Sequence, residues 1–306
     1  MYLHEGFLID TKENKERLSS LAQLQEAALT KAIVEARVTL CDNQHNLWVD
    51  LPACKGVIPR DEGALGIREG TVRDIALIAR VGKAVCFTVE RLTVDETGNR
   101  LAILSRRAAQ EQCRNQYVTR LRPGDVIDVG ITHLEPFGAF CDVGCGLASL
   151  IPIDAISVSR ITHPADRFVA GQHAKAVVKG IEPDGKIHLT HKELLGTWEE
   201  NASLFRAGET VTGLIRTVES YGCFVELTPN LAGLAEPKAG VVPGQQAAVF
   251  IKSIIPEKMK VKLIIVDAFD APQVPVGHRY FFTKTHMDSW RYSPAVCQKN
   301  LQTDFT

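Results

Sequence analysis

Residues 124–143 read GDVIDVGITHLEPFGAFCDV, and residues 208–227 read GETVTGLIRTVESYGCFVEL. The offset of 84 is constant and aligns Gly124 with Gly208, Glu135 with Glu219, Phe137 with Tyr221, Gly138 with Gly222 and Phe140 with Phe224. Further on, AGQHAKAVVKGI at 170–181 matches PGQQAAVFIKSI at 243–254, and KIHLTHK at 186–192 matches KVKLIIV at 260–266. A more distant copy occupies 32–107: IVEARVTLCDNQHNLWVDL and KGVIPRDE, then VGKAVCFTVERL, a DETGN turn and RLAILSRR. It lacks the aromatic pair. Internal repetition of this kind sets the fold, because each copy must close its own small core.

Every copy alternates apolar and polar residues in short runs broken by Gly, Pro and Asp-Gly turns, with Asp184-Gly185 as a hairpin signal. Five short strands, with an insert between the third and fourth, predict a five-stranded OB-type barrel. Helices are expected between the copies. Thr190 and Glu193 have capping-box spacing before ELLGTWEENASLF, and 106–119 is helical in composition. Asp10 and Glu13 are placed to cap an N-terminal helix carrying Leu18, Leu21, Leu24 and Leu29.

The expectation is a mainly β chain of tandem barrels joined by short helices. It comprises an N-terminal helical segment (1–30), a degenerate barrel (31–107), a barrel with the aromatic pair (121–192), a second barrel of that type (207–267) and an aromatic C-terminal extension (268–306).

A Gly between two aromatics lets a strand bulge, which would bring rings three residues apart onto one face. Exposed rings on a barrel face are stacking platforms for unpaired bases. Phe137 and Tyr221 read as exposed; Phe140 is open to a core or a stacking reading. Lys175 and Lys179 alternate with apolar residues and should point outward. His191 and Lys192 follow the last strand, and Arg160, His163 and Arg167 lie in the insert. Singly these are solvated charges; clustered near Phe137 they suit a phosphate backbone. In the tail, Tyr280, Phe281, Phe282, Trp290 and Tyr292 are interleaved with Arg279, Lys284 and Arg291. That pattern suits RNA, but a hairpin packed on the last barrel accounts for it more simply.

The pattern GD-V-x-x-G-I, F-G-A-F-x-D-V, then D-G-K-I-x-L-T resembles the ribosomal protein S-one (S1) RNA-binding domain family. It is best in 121–192, drifting in 207–267 and remote in 32–107. With LCDNQHNLWVDL, GVIPRDE, SRITHPADRF, LLGTWEENA and SWRYSP, the whole chain resembles the short S-one homologues of Firmicutes. The resemblance implies a bacterial, cytoplasmic protein that binds single-stranded RNA, messenger or ribosomal, in translation, with the small ribosomal subunit as a partner. The family's contact set is two aromatics, a His in the third strand, and an acidic and a basic residue around the last hairpin. It maps here to Phe137, Phe140, Glu182 and Lys186, joined by Lys175 and Lys179. In the third copy it maps to Tyr221, Phe224 and Lys260. The His position falls on Pro152, and the third copy's acidic position on Pro256. A protein–protein scaffold or ribosome-docking factor, its barrels having largely lost RNA contacts, is the alternative.

No enzyme or cofactor is expected, since GxSxG, Walker A and HExxH are absent. Cys41, His45 and Cys54, or Cys141 and Cys145, have no closed metal-ligand spacing. The eight cysteines include no CxxC pair and suit a reducing compartment, and no apolar run reaches the length of a membrane span.

Lys plus Arg number 35 against 36 Asp plus Glu, and within the copies the basic and acidic counts are 12 and 10, 7 and 8, and 6 and 6. No copy is a basic domain, so affinity must come from stacking more than from counterion release. A binding titration across salt concentrations should therefore show a shallow slope; a steep one contradicts the stacking account.

Overall fold

The computed structural model describes residues 2–182, 185–271 and 278–305. Asp184 of the hairpin signal, much of the Pro-rich connector and Gly277 at the start of the aromatic tail lie outside the described residues. Three closed five-stranded barrels follow one another. The first is built from β1 (Val34–Cys41), β2 (Leu47–Asp50), β3 (Lys55–Ile58), β4 (Ala84–Val94) and β5 (Arg100–Ser105). The second uses β6 (Val126–Glu135), β7 (Gly138–Asp142), β8 (Ala148–Pro152), β9 (His173–Ile181) and β10 (Ile187–Thr190). The third uses β11 (Thr210–Glu219), β12 (Gly222–Thr228), β13 (Leu231–Ala235), β14 (Gln246–Ile255) and β15 (Lys260–Phe269). In each, the third strand pairs in parallel with the fifth: Lys55 with Leu101, Leu150 with His188, Leu234 with Lys262. That parallel pair, with the first strand also paired to the fourth, closes an OB-type barrel and leaves no sheet edge.

The chain divides into two compact units. One holds residues 2–121 with 128–130 and 142–148; the other holds 122–127, 131–141 and 149–305. In the first unit the expected single N-terminal helix is two: α1 (Lys12–Leu18) and α2 (Leu21–Thr30). Thr11, not Asp10 or Glu13, caps α1 by accepting from the Asn14 amide, and Ser20 caps α2 by accepting from that of Gln23. A cap residue cannot also sit inside a helix, so the Ser19-Ser20 pair breaks the run. Leu18 and Leu24 are buried, whereas Leu29 is exposed. The segment before α1 is held by two buried carboxylates. Glu35 accepts the amides of Gly6, Leu8 and Ile9 at 3.1, 2.9 and 3.0 Å. Glu5 accepts Nε and Nη2 of the buried Arg106 at 2.6 and 3.0 Å. Fork-to-carboxylate geometry of this kind offsets the cost of burying both charges. α3 (Ile75–Ile78) lies in the insert of the first barrel, and α4 (Arg106–Gln116) follows it, capped by Ser105.

In the second unit, α5 (Trp198–Ala202) has its capping box at Thr197 and Glu200. The expected box at Thr190 and Glu193 is instead a buried side-chain pair, the Thr190 hydroxyl donating to the Glu193 carboxylate at 2.5 Å. The tail forms a hairpin of β16 (Ser289–Arg291) and β17 (Gln302–Asp304). Trp290, Tyr292 and Phe305 are buried in one cluster with Trp198 and the core of the third barrel. The packed-hairpin reading holds for those rings. Asn230, wholly buried, donates from Nδ2 to the carbonyls of Lys192 and Gly196, both at 2.8 Å, and accepts the Val158 amide at 2.9 Å.

Two sequence expectations about basic residues fail here. Arg167 is only 5% exposed, its Nη2 donating to Glu226 at 2.6 Å. His191 is fully buried against Phe168 and His278, its ring Nδ1 2.9 Å from the Ile156 carbonyl. Neither faces solvent, because the second barrel's insert and exit pack against the third barrel and the tail.

The aromatic turn also differs from expectation. Phe137 lies between β6 and β7 rather than in a strand, and the register shift between β11 and β12 falls between Ile215 and Thr217, not at Gly222. The glycines have another reason. A Cβ on Gly138 would lie 2.6 Å from the Ile151 carbonyl oxygen, and one on Gly222 2.5 Å from that of Ala235. Gly222 also has φ +155°.

Two outcomes follow from this packing. Gly138→Ala should cost about 1–3 kcal/mol, as overpacking does, read as a lowered urea midpoint; an unchanged midpoint contradicts the close approach. Burial, aided by the neighbouring His278 and Arg167, pushes His191 down to about 3, and burial beside Arg167 pushes His278 to about 4. Both folded values lie below the ordinary 6.5, so the unfolded chain takes up protons first. Their contribution is complete above about pH 6.5 and is lost as pH falls toward 3, on the order of a few kcal/mol in all. Hydrogen exchange at 153–156 and 187–195 should lose protection between pH 7 and 5; constant protection contradicts this.

Candidate nucleic-acid interface

The turn before β7 brings Phe137 and Phe140 together with ring centroids 5.9 Å apart at 82°. Phe137 is 56% exposed and Phe140 is half-buried, so neither ring belongs to the barrel core. The core positions of β7 are taken by Ala139 and Cys141, which are fully buried. The third barrel repeats the arrangement: Tyr221 and Phe224 lie 6.3 Å apart at 88°, with Tyr221 64% exposed.

His133, which the motif comparison did not single out, stacks on Phe140 at 4.1 Å and 9°. The Thr132 hydroxyl donates to the Phe140 carbonyl at 3.1 Å and ties the two strands beneath these rings. The second barrel therefore presents three rings. Nothing in the spacing of His133 and Phe140 signals their contact, since they sit on opposite sides of a turn.

Around the last hairpin, Glu182 and Lys186 are exposed, and Glu182 lies 2.6 Å from Nε2 of His188. His188 pairs with Leu150 across the parallel closure. It supplies an imidazole on the outer face, although the expected His position in the third strand is Pro152. Its signal is present in KIHLT: Lys186 and His188 share the outer side of a period-two pattern, and Ile187 and Leu189 fill the core. Lys179 is exposed and Lys175 is half-buried, its backbone amide donating to the Tyr280 hydroxyl at 3.1 Å. In the third barrel Lys260 is exposed at the start of β15, and Lys262 occupies the place that His188 holds in the second.

The first barrel has no such pair. Its β1–β2 turn is organised by Asp42, which accepts Trp48 Nε1 at 2.9 Å and the amides of Gln44 and Asn46, both at 2.9 Å. These hydrogen bonds hold the Asp42 carboxyl below the usual range despite its partial burial. A polar turn stands where the other two barrels carry rings.

Among the described residues no cluster of His, Cys, Asp and Glu could hold a metal ion, and no helix is long and apolar enough to cross a membrane. No disulfide joins any of the eight cysteines.

The S1 RNA binding domain family matches residues 120–192, the barrel with the three rings. The small ribosomal subunit protein bS1 of Staphylococcus aureus (strain COL) is 30% identical over 277 residues, covering 85% of this chain and 68% of that protein. The bS1 protein of Staphylococcus haemolyticus is 31% identical over 278 residues, with the same coverage of 85% and 68%. Among solved structures, a multidomain protein with nucleic acid binding domains from Streptococcus pneumoniae covers 77% of this chain and 73% of its own at 12% identity, with a TM-score of 0.26. GSP13 from Bacillus subtilis covers 23% and 55% at 21% identity, with a TM-score of 0.22. Superpositions at those scores add nothing to the strand topology. The sequence relationship does, and it agrees with the barrels and their rings: the chain belongs to the ribosomal protein bS1 family and carries an S1 RNA binding domain.

Proposed function

We propose that this protein binds single-stranded RNA by stacking bases on Phe137 and Phe140, and that it acts in translation on messenger or ribosomal RNA. The observation that carries the reading is the exposed Phe137 ring set edge-on to Phe140, with His133 stacked behind. An exposed ring that the core does not need is a binding surface, and base stacking is worth about 1–3 kcal/mol per ring. Lys179, Lys186 and Lys175 provide cationic groups for the backbone, and Glu182 with His188 provides hydrogen-bonding edges. Tyr221, Phe224 and Lys260 form a weaker second face. Two weak faces on one chain gain affinity by acting on the same strand. The named relatives are small-subunit ribosomal proteins. That supports the small ribosomal subunit as a partner and the cytoplasm as the location. The reaction class is binding; no catalytic group set accompanies the rings.

A second reading, a docking scaffold, is favoured by one observation: Ile264 and Val266 on β15 are 39% and 55% exposed beside Leu234. Partners retained after nuclease treatment would support it.

The Phe137→Ala, Phe140→Ala double variant should bind a short single-stranded RNA at least tenfold more weakly than the parent in fluorescence anisotropy, with an unchanged circular dichroism spectrum. Unchanged affinity contradicts stacking as the mechanism.

A further inference from the structure

The polar turn of the first barrel replaces only one of the two rings. The ring on the strand has a counterpart, and cross-strand pairing identifies it without any motif. In the third barrel Phe224 pairs with Leu234, Leu234 with Lys262 and Lys262 with Ser253. In the first barrel the same row runs from Trp48 to Val57, Ile103 and Arg91. Every step is a direct pair, and the irregularities fall at the same points. The register shifts next to the Thr217–Phe224 pair and next to the Leu40–Trp48 pair. It shifts again beside Ser253 and beside Arg91. Thr39 donates its hydroxyl to the Trp48 carbonyl at 3.1 Å, as Thr132 does to that of Phe140, also at 3.1 Å.

Trp48 lies outside the barrel core. Leu47 and Val49 on either side of it are fully buried in that core, so the indole takes the outer side of β2. It is half-buried, and its Nε1 donates to Asp42 at 2.9 Å. That bond holds the ring by its edge. Leu40 beside it is 54% exposed, and Ile103 is half-buried; neither belongs to the core cluster. At the far end of the row Leu92 packs inward on the core, which turns Arg91 outward. Arg91 is exposed, and no ion pair engages it among the described residues; the adjacent Glu90 is taken by Lys31 at 3.1 Å.

Ring and cation are three strand spacings apart, about 14 Å between their backbones at roughly 4.8 Å per spacing. A stacked base, its sugar and a long arginine side chain together bridge that distance. An aliphatic partner would cover Leu40 and Ile103 and leave Arg91 unanswered. A nucleotide answers both ends of the row. We propose that the first barrel binds one nucleotide of single-stranded RNA, with the base on Trp48 and the phosphate on Arg91. The cation stands on β4, whereas the second and third barrels carry His188 and Lys262 on the strand that closes the barrel. Comparison of motifs therefore passes over this face. The proposal rests on the RNA-binding function given above, but not on Phe137 and Phe140.

The ring reports on its own occupancy. The chain has three tryptophans, and Trp198 and Trp290 are only 2% and 7% exposed. Single-stranded oligouridylate added to the full chain should quench tryptophan fluorescence through Trp48. Duplex RNA should not, because its bases are already stacked on one another. Trp48→Phe keeps a ring and should abolish the quenching while anisotropy still reports binding. Arg91→Ala removes an exposed side chain and should weaken the quenching titration about threefold or more, lowering its salt slope by about one. Quenching should persist in the Phe137→Ala, Phe140→Ala variant.

No quenching at saturating RNA, quenching retained in Trp48→Phe, equal quenching by duplex, or an unchanged titration in Arg91→Ala overturns the proposal. So does loss of quenching in the double Phe variant, which would place the signal's origin in the second barrel. A change in Trp48 emission with an aliphatic peptide but not with RNA makes the face a protein contact and overturns it too. Failure of the stacking reading is seen separately, as unchanged RNA affinity in the double Phe variant with Trp48 quenching intact.

Discussion

The carbonyl oxygen of Ile151 lies where a side chain at position 138 would begin, and that of Ala235 does the same at position 222. Glycine at these points lets β8 and β13 close onto the strand beside them. With no side chain to accommodate, the residue before each glycine is left in the turn, and its ring faces outward. The ring two places after the glycine then lies on the outer side of β7 or β12, with core residues on either flank. The aromatic pair is therefore a by-product of tight barrel closure as well as the binding device we propose. This explains why ring, glycine and ring travel together at a fixed spacing in both copies.

Much of this was legible from one sequence because it is local. Strand alternation, the 84-residue offset and the position of the inserts fix three barrels without reference to distant contacts. The exposure of Phe137 and Tyr221 follows from their place in the turn. What was not legible depends on partners far along the chain. Arg167 looks like a surface cation in SRITHPADRF, yet Glu226 lies 59 residues later. His191 looks like a strand-end histidine, yet His278 and Tyr280 of the tail enclose it. His133 joins the ring face only because β6 and β7 fold back on one another. His188, by contrast, was available from period-two reasoning alone.

The near-neutral composition has a structural counterpart. Many basic side chains are occupied within the fold: Arg106 by Glu5, Arg167 and Arg216 by Glu226, Arg60 by Asp74. A protein that spends its guanidinium groups on its own carboxylates has few left for phosphates. In the function proposed, rings then carry the interaction.

The central claim, that bases stack on the second barrel's rings, is tested most directly by nuclear magnetic resonance of the full chain with labelled Phe and His side chains during addition of single-stranded RNA. The account predicts that ring signals of Phe137, Phe140, His133 and His188 shift first, with smaller changes at Phe224. Shifts confined to the first barrel, or ring signals in the second barrel that do not move while RNA is bound, would contradict it.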